Sequence, residues 1–466
     1  MNTKNLLLLA LIAAMVGLFA ACGDSGKTKM ITVSGKTLAD KLEWLDSNAV
    51  SNTGYLLKIS ASEEFVPYHL SYFANNITIR LRGSGKEKAI SLTDKGSLFT
   101  VNTGVTLILD NITLAGADDN SQALVRVNSG GNLQINKDAK IIGNNGGGIF
   151  NNGGIITMNG GEISGHNGSG VHNDVYYTSI DGEYVTIVGT FTMNAGKISG
   201  NTTASSAGGG VYNNGTFTMN GGEISGNIGG GVHNNGTLTI TGGKISGNTS
   251  LSFDGGGVHN GVNYTMVDGL YVALNGTFTM NGGEISGNNS SYGGGVSNYG
   301  TFMMEDGKIA GNTGSIGGGV DNHGTFTIKG GKISGNNAFF YGGGVSNSVT
   351  YTYTYEGYVS EGSFTMYGGE ISGNVASSYG GGVFVGNEAV FDKSGGTITG
   401  YAEGDSNSNA VISDAGAVQY EQGHAVYAYH DDNAYIKQKE TTDGSGDVLS
   451  YNGKFNPPIW NGKWDN

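Results

Sequence analysis

Gly229-Gly230-Gly231-Val232-His233-Asn234, Thr237-Leu238-Thr239-Ile240 and Gly242-Gly243-Lys244-Ile245-Ser246-Gly247-Asn248 are three consecutive short runs whose reading decides the fold. Each alternates apolar and polar residues, as a strand with one buried face does, and Gly and Asn between them tolerate the positive φ of a sharp corner. The unit returns, aligned on its last isoleucine, at Ile141, Ile163, Ile198, Ile224, Ile245, Ile285, Ile309, Ile333, Ile371 and Ile398, mostly in steps of 21 to 27 residues. Self-similarity at such a period marks a solenoid. Three strands per turn, stacked in parallel about 4.8 Å apart, predict an all-β, right-handed single-stranded parallel β-helix, a three-sided solenoid with Val232, Leu238, Ile240 and Ile245 inside. Asn234, Asn248 and their equivalents are expected to stack at the corners, amide on amide.

Composition agrees. The 466 residues hold 86 Gly, 3 Pro and only 13% charged residues, yet hydrophobic residues still make up 37%, too many for a flexible linker. A net charge of −14 and a pI near 4.9 argue against nucleic-acid binding, which gathers Lys and Arg on one face. Arg80, Arg82 and Arg126 are the only arginines and are read as preceding the regular repeats. The residue before each isoleucine runs Lys140, Glu162, Lys197, Glu223, Lys244, Glu284, Lys308, Lys332, Glu370, so opposite charges alternate on neighbouring turns except at Lys308 and Lys332. Such pairs set register at roughly 0.2 to 1 kcal/mol each.

Three steps are longer. Val171, Val258 and Val345 are each 87 residues apart, and after each an insert separates the valine run from the Thr-Phe-Thr run. The inserts, near 174–189, 261–276 and 348–362, place Asp-Gly or Glu-Gly between aromatics, a hairpin signal. Three similar flaps are expected along one edge about 14 Å apart. They carry Tyr176, Tyr177, Tyr184, Tyr264, Tyr271, Tyr353, Tyr355 and Tyr358 and no Lys or Arg.

Around the regular repeats at 121–400, residues 31–120 are expected to form a cap and the first coils. Leu38, Leu42 and Leu45 lie on one face of a predicted helix, with Thr37 as N-cap, covering the open core. The repeat fades near Gly423-His424-Ala425-Val426-Tyr427, so 401–466 read as a C-terminal cap and tail. Ahead of everything, Lys4 and the apolar run Leu6 to Ala21 read as a signal peptide, 1–21, followed by a tether, 22–30. Cys22 is the only cysteine, which excludes disulfides and CxxC sites.

Leu18-Phe19-Ala20-Ala21-Cys22 resembles the lipobox of bacterial lipoproteins, with Phe19 where Leu is usual, as in the looser boxes of spirochaetes. The resemblance implies acylation of Cys22 and a membrane anchor with a tether spanning roughly 30 Å. The repeats resemble right-handed β-helix proteins of bacterial surfaces, including repetitive spirochaete lipoproteins. The Gly-Gly-Gly-Val runs and Phe-x-x-Asn segments (Phe191 to Asn194, Phe217 to Asn220, Phe278 to Asn281) are similar to repeats of polymorphic outer-membrane adhesins. Phe302, Phe326 and Phe364 depart from that pattern, and no autotransporter barrel follows. The likeness implies an outer-membrane lipoprotein, surface-exposed or alternatively on the periplasmic face.

The function expected is adhesion or interaction with a host or matrix protein or glycan through the flaps, by a monomer without catalysis, since repeated Tyr display favours avidity. The alternative is a polysaccharide-binding or polysaccharide-degrading β-helix. Its chemistry needs clustered carboxylates around one sugar subsite, whereas Asp118-Asp119 and Asp431-Asp432 lie away from the regular turns. No catalytic residue, cofactor or nucleic-acid partner is expected. His233 and His259 fall on adjacent turns and His172 two turns earlier, but no carboxylate is seen to complete a set, so no metal is expected either.

Overall fold

The computed structural model describes residues 30–451, apart from 181, 204–207, 252–253, 268–269, 355–356, 402–403, 414, 419–423, 429–435 and 438–448. The signal peptide, Cys22 and nearly all of the tether lie outside the described residues, as do Tyr355, Asp431-Asp432 and the Trp460 to Trp464 tail.

The chain is a parallel β-helix. Its valine wall stacks Val125, Ile149, Val171, Val211, Val232, Val258, Val296, Val320, Val345, Val383 and Val426 rung upon rung. The phenylalanine wall stacks Phe191, Phe217, Leu238, Phe278, Phe302, Phe326, Phe364 and Phe391. The isoleucine wall aligns every isoleucine of the repeat, from Ile141 to Ile398. All these side chains are buried. Consecutive phenylalanines stack face to face with centroids 4.4 Å (Phe278–Phe302) and 4.7 Å (Phe302–Phe326) apart, the spacing that the rung repeat imposes. A partial fourth wall also forms, from Asn289–Tyr292, Thr313–Ile316, Asn337–Tyr341, Val375–Ala376 and Ala410–Val411. These segments share no motif, so sequence periodicity does not reveal them.

Two asparagine ladders run through the buried corners. In the first, Nδ2 of each residue donates to Oδ1 of the next from Asn151 through Asn173, Asn213, Asn234, Asn260, Asn298 and Asn322 to Asn347, at 2.7 to 2.8 Å. In the second, from Asn201 to Asn409, both the backbone N–H and Nδ2 of each residue donate to the next Oδ1, and Nδ2 also reaches an isoleucine carbonyl below. The corners' positive φ belongs instead to glycines such as Gly247 (φ 62) and Gly311 (φ 63); the repeat asparagines are retained for their amides.

His166 occupies a slot of the second ladder. Its backbone N–H donates to Asn201 Oδ1, and its Nε2 lies 3.0 Å from the Ile141 carbonyl, as an asparagine amide would. The ring offers no oxygen to the rung below, and its buried Nδ1 has no hydrogen-bond partner. Burial lowers its pKa from 6.5 to about 4, opposed by the Ile141 contact. The folded state therefore binds fewer protons than the unfolded chain. This group's contribution is intact above pH 6.5 and declines as pH falls toward 4, by about 1.4 kcal/mol per pH unit. His166→Asn is expected to flatten stability across that window and to raise it at pH 7, read from urea midpoints at a series of pH values.

The charge ladder forms in part. Lys197–Glu223 (3.8 Å), Lys244–Glu284 (3.3 Å) and Lys332–Glu370 (2.8 Å) pair across rungs, whereas Lys140 turns to Glu87 (2.7 Å) and Lys308 stacks beside Lys332. All are solvated, so each contributes little.

Helix α1, Leu38–Asn48, caps the N-terminal end as expected. Thr37 and Asp40 form a capping box, and Leu38, Leu42 and Leu45 are buried. At the other end the coil goes further than the sequence indicates, because Val426–Ala428 adds another rung to the valine wall. Two strands then pair antiparallel, Ile436–Lys437 on that rung and Leu449–Tyr451 on Val390–Lys393.

Candidate functional site

All three inserts are antiparallel hairpins. Val171–Ile180 pairs with Glu183–Val188, Val262–Val267 with Leu270–Asn275, and Thr350–Thr354 with Gly357–Glu361. They leave the valine wall every third rung. Their insertion point explains why the coil tolerates them. Flapless rungs turn the corner through Asn-x-Gly, as at Asn213-Asn214-Gly215, where Nδ2 of Asn213 donates to the Gly215 carbonyl at 3.1 Å. In the first flapped rung Gly189 returns to bond Asp174 (3.0 Å), and Asn173 still reaches the Gly189 carbonyl at 3.0 Å. Asn260 and Gly276 repeat the contact at 3.0 Å. Each flap thus extends an intact corner.

On the first flap Tyr176 and Ile187 sit over Gly153 of the neighbouring rung, while Tyr177 is 68% and Tyr184 95% exposed. The hairpin packs on the wall at its root and exposes Tyr177 and Tyr184 beyond it. On the other flaps the register pairs Tyr264 with Ala273, Tyr271 with Met266, and Tyr353 with Tyr358.

Beside the flaps, the position after each wall valine carries a ladder of rings. Phe150, His172, Tyr212, His233 and His259 follow one another with centroids 4.6 to 5.0 Å apart. It then steps sideways to Tyr299 and His323, 4.8 Å apart. At its N-terminal end lies a groove of about 380 Å³ lined by Ser97, Gln122, Arg126, Phe150, Ser169 and His172. Arg126 belongs to the wall itself, pairing with Phe150 and holding its guanidinium 4.7 Å over that ring. The sequence reading that keeps guanidinium groups off the repeat faces is corrected here.

Two His–Asp pairs lie farther along. Asp321 is fully buried, and its Oδ2 is 3.1 Å from Nε2 of His323. Burial opposes protonation of His323, but the Asp321 carboxylate and the Val349 carbonyl outweigh it and raise the ring's pKa. Ser297 and Ser346 are also buried and, by register, flank the aspartate rather than the imidazole. In the second pair His259 Nδ1 lies 3.4 Å from Asp254 Oδ1, with His233 on the rung below. One ligating atom from each of the three lies within 4.8 Å of the others, so a carboxylate does complete a set, contrary to the sequence reading. Asp254 lies in a loop five residues before His259, and stacking of the rungs brings it against His233. Among the described residues no helix is long and apolar enough to cross a membrane. Comparison with known proteins returns no match to a protein-family model, to a curated protein or to a solved structure.

Proposed function

We propose that this chain is a non-catalytic, lipid-anchored cell-envelope protein whose β-helix displays tyrosine flaps for adhesion to a host or matrix protein or glycan. The observation carrying this reading is the first hairpin, which holds Tyr177 and Tyr184 out in solvent on a corner that does not need it. Tyrosine offers a large contact area at low entropic cost, and display on every third rung turns weak contacts into avidity. Acylated Cys22 supplies the anchor in an outer membrane, with the coil on the outer surface.

Excising 175–188, 262–275 and 349–361 leaves Asn-x-Gly at each corner. The triple deletion is expected to keep the far-UV spectrum and unfolding midpoint of the parent while losing at least about 100-fold in binding to immobilised matrix proteins, glycans or host cells. Unchanged binding overturns the adhesive role of the flaps.

The groove at Arg126 favours a second reading, polysaccharide binding. An aromatic face, a guanidinium and the hydroxyl and amide groups of Ser97, Ser169 and Gln122 suit an acidic sugar. Glycan retention by the flapless protein, lost on Arg126→Ala, would select it.

A further inference from the structure

We infer that His233, Asp254 and His259 form a binding site for a divalent transition-metal ion of the zinc type, at the root of the second flap. Two imidazoles and one carboxylate are a common donor set for such ions, with a further position left for water or an external ligand. In tetrahedral coordination with bonds of about 2.0 to 2.1 Å, neighbouring ligand atoms stand roughly 3.3 Å apart. His259 Nδ1 and Asp254 Oδ1 are separated by 3.4 Å. The His233 and His259 rings face each other with centroids 4.6 Å apart, and the required atoms converge within 4.8 Å, a gap that side-chain rotation closes.

The surroundings suit a cation. The His259 and Asp254 side chains are only 12% and 16% exposed, and Nδ1 of His259 makes no hydrogen bond. Tyr212 and Tyr299 bracket the two histidines along the ring ladder. The Asp254 backbone is fixed, because its carbonyl accepts the Ser290 hydroxyl. The other His–Asp pairs, His172–Asp174 and His323–Asp321, have no second histidine in such a set among the described residues.

The test uses the purified full chain, stripped with chelator and titrated with Zn²⁺ at neutral pH, with metal content measured after desalting. One Zn²⁺ per chain is expected, together with a rise in unfolding temperature and, for Co²⁺, visible d–d absorption. Asp254→Asn and His259→Gln are each expected to weaken binding more than about 100-fold, beyond the 10- to 100-fold typical of losing an outer-shell partner. Both should also abolish the thermal shift. Asp254 lies in a loop, so its variant keeps the coil and carries the test if His259→Gln does not fold. No retention by the parent overturns the proposal, and so does equal affinity in a folded Asp254→Asn variant. Neither result bears on adhesion by the flaps.

Discussion

Asn288→Asp is expected to remove about 4 kcal/mol or more of stability at pH 7. The side chain is 1% exposed. Its Oδ1 accepts from the backbone N–H and Nδ2 of Asn248, and its Nδ2 donates to Asn312 Oδ1 and the Ile245 carbonyl, all at 3.0 Å. A carboxylate keeps the accepting half and turns the donating half into an oxygen facing two oxygens. The Ile245 carbonyl loses a donor, and a charge is buried without a cation. The variant also has a signature of its own. Its carboxyl pKa must lie above the ordinary value, so its deficit is full at neutral pH and shrinks as pH falls through that raised pKa and a proton restores one donor. Urea midpoints of parent and variant at pH 7 and pH 4 read this directly, since the His166 contribution is common to both. Limited proteolysis should find the first cuts near rung 288, because each rung contacts only its neighbours. A deficit independent of pH would show that the ladder bond is not its source.

Gly295→Ala ranks next, at about 3 kcal/mol or more. Its backbone lies outside the positive-φ region, so alanine costs nothing in conformation. The cost is space. A Cβ would stand 2.5 Å from the Gly319 carbonyl oxygen, 2.8 Å from Ile309 Cγ2 and 3.0 Å from Asn312 Nδ2. To admit it, the rungs must part where Val296 donates to that carbonyl at 2.9 Å, and the second asparagine ladder is pushed at the same point. Gly311→Ala is the control. There φ is 63 and nothing lies within 4 Å of an added Cβ, so only backbone strain of about 1 kcal/mol is expected. Thermal midpoints of the two variants should differ severalfold in their displacement from the parent, and equal shifts would refute close approach as the reason for the third glycine.

This pair shows what the sequence could and could not say. Periodicity located the three walls, the isoleucine register, the cap at Leu38–Asn48 and the flaps after Val171, Val258 and Val345, because each rests on local alternation or local turn chemistry. A glycine looks the same whether it turns a corner, like Gly311, or lets two backbones touch, like Gly295. Asp254 was hidden for a related reason. It lies in an irregular loop, and its partner His233 is 21 residues away, a distance that only the pairing of Val232 with Val258 converts into proximity. Arg126 was misread because the repeat begins before its glycine pattern becomes regular, with Val125 already in register with Ile149.

The asparagine ladders have one more consequence, concerning length. In both ladders every asparagine-to-asparagine bond donates toward higher residue numbers, so the column is an arrow whose two ends are chemically different. Such a stack has no internal reason to stop: the last rung of one copy could accept the first rung of another and grow into an open head-to-tail filament. Termination must come from pieces that break the pattern. At the start the edge is reduced to the two-residue strand Ile31–Thr32, paired in parallel with Tyr55 and Leu56 and followed by helix α1, and at the finish Ile436–Lys437 and Leu449–Tyr451 pair antiparallel, which cannot propagate a parallel column. The length of the column is therefore a property of the two ends, and the repeats between them are free to differ in number.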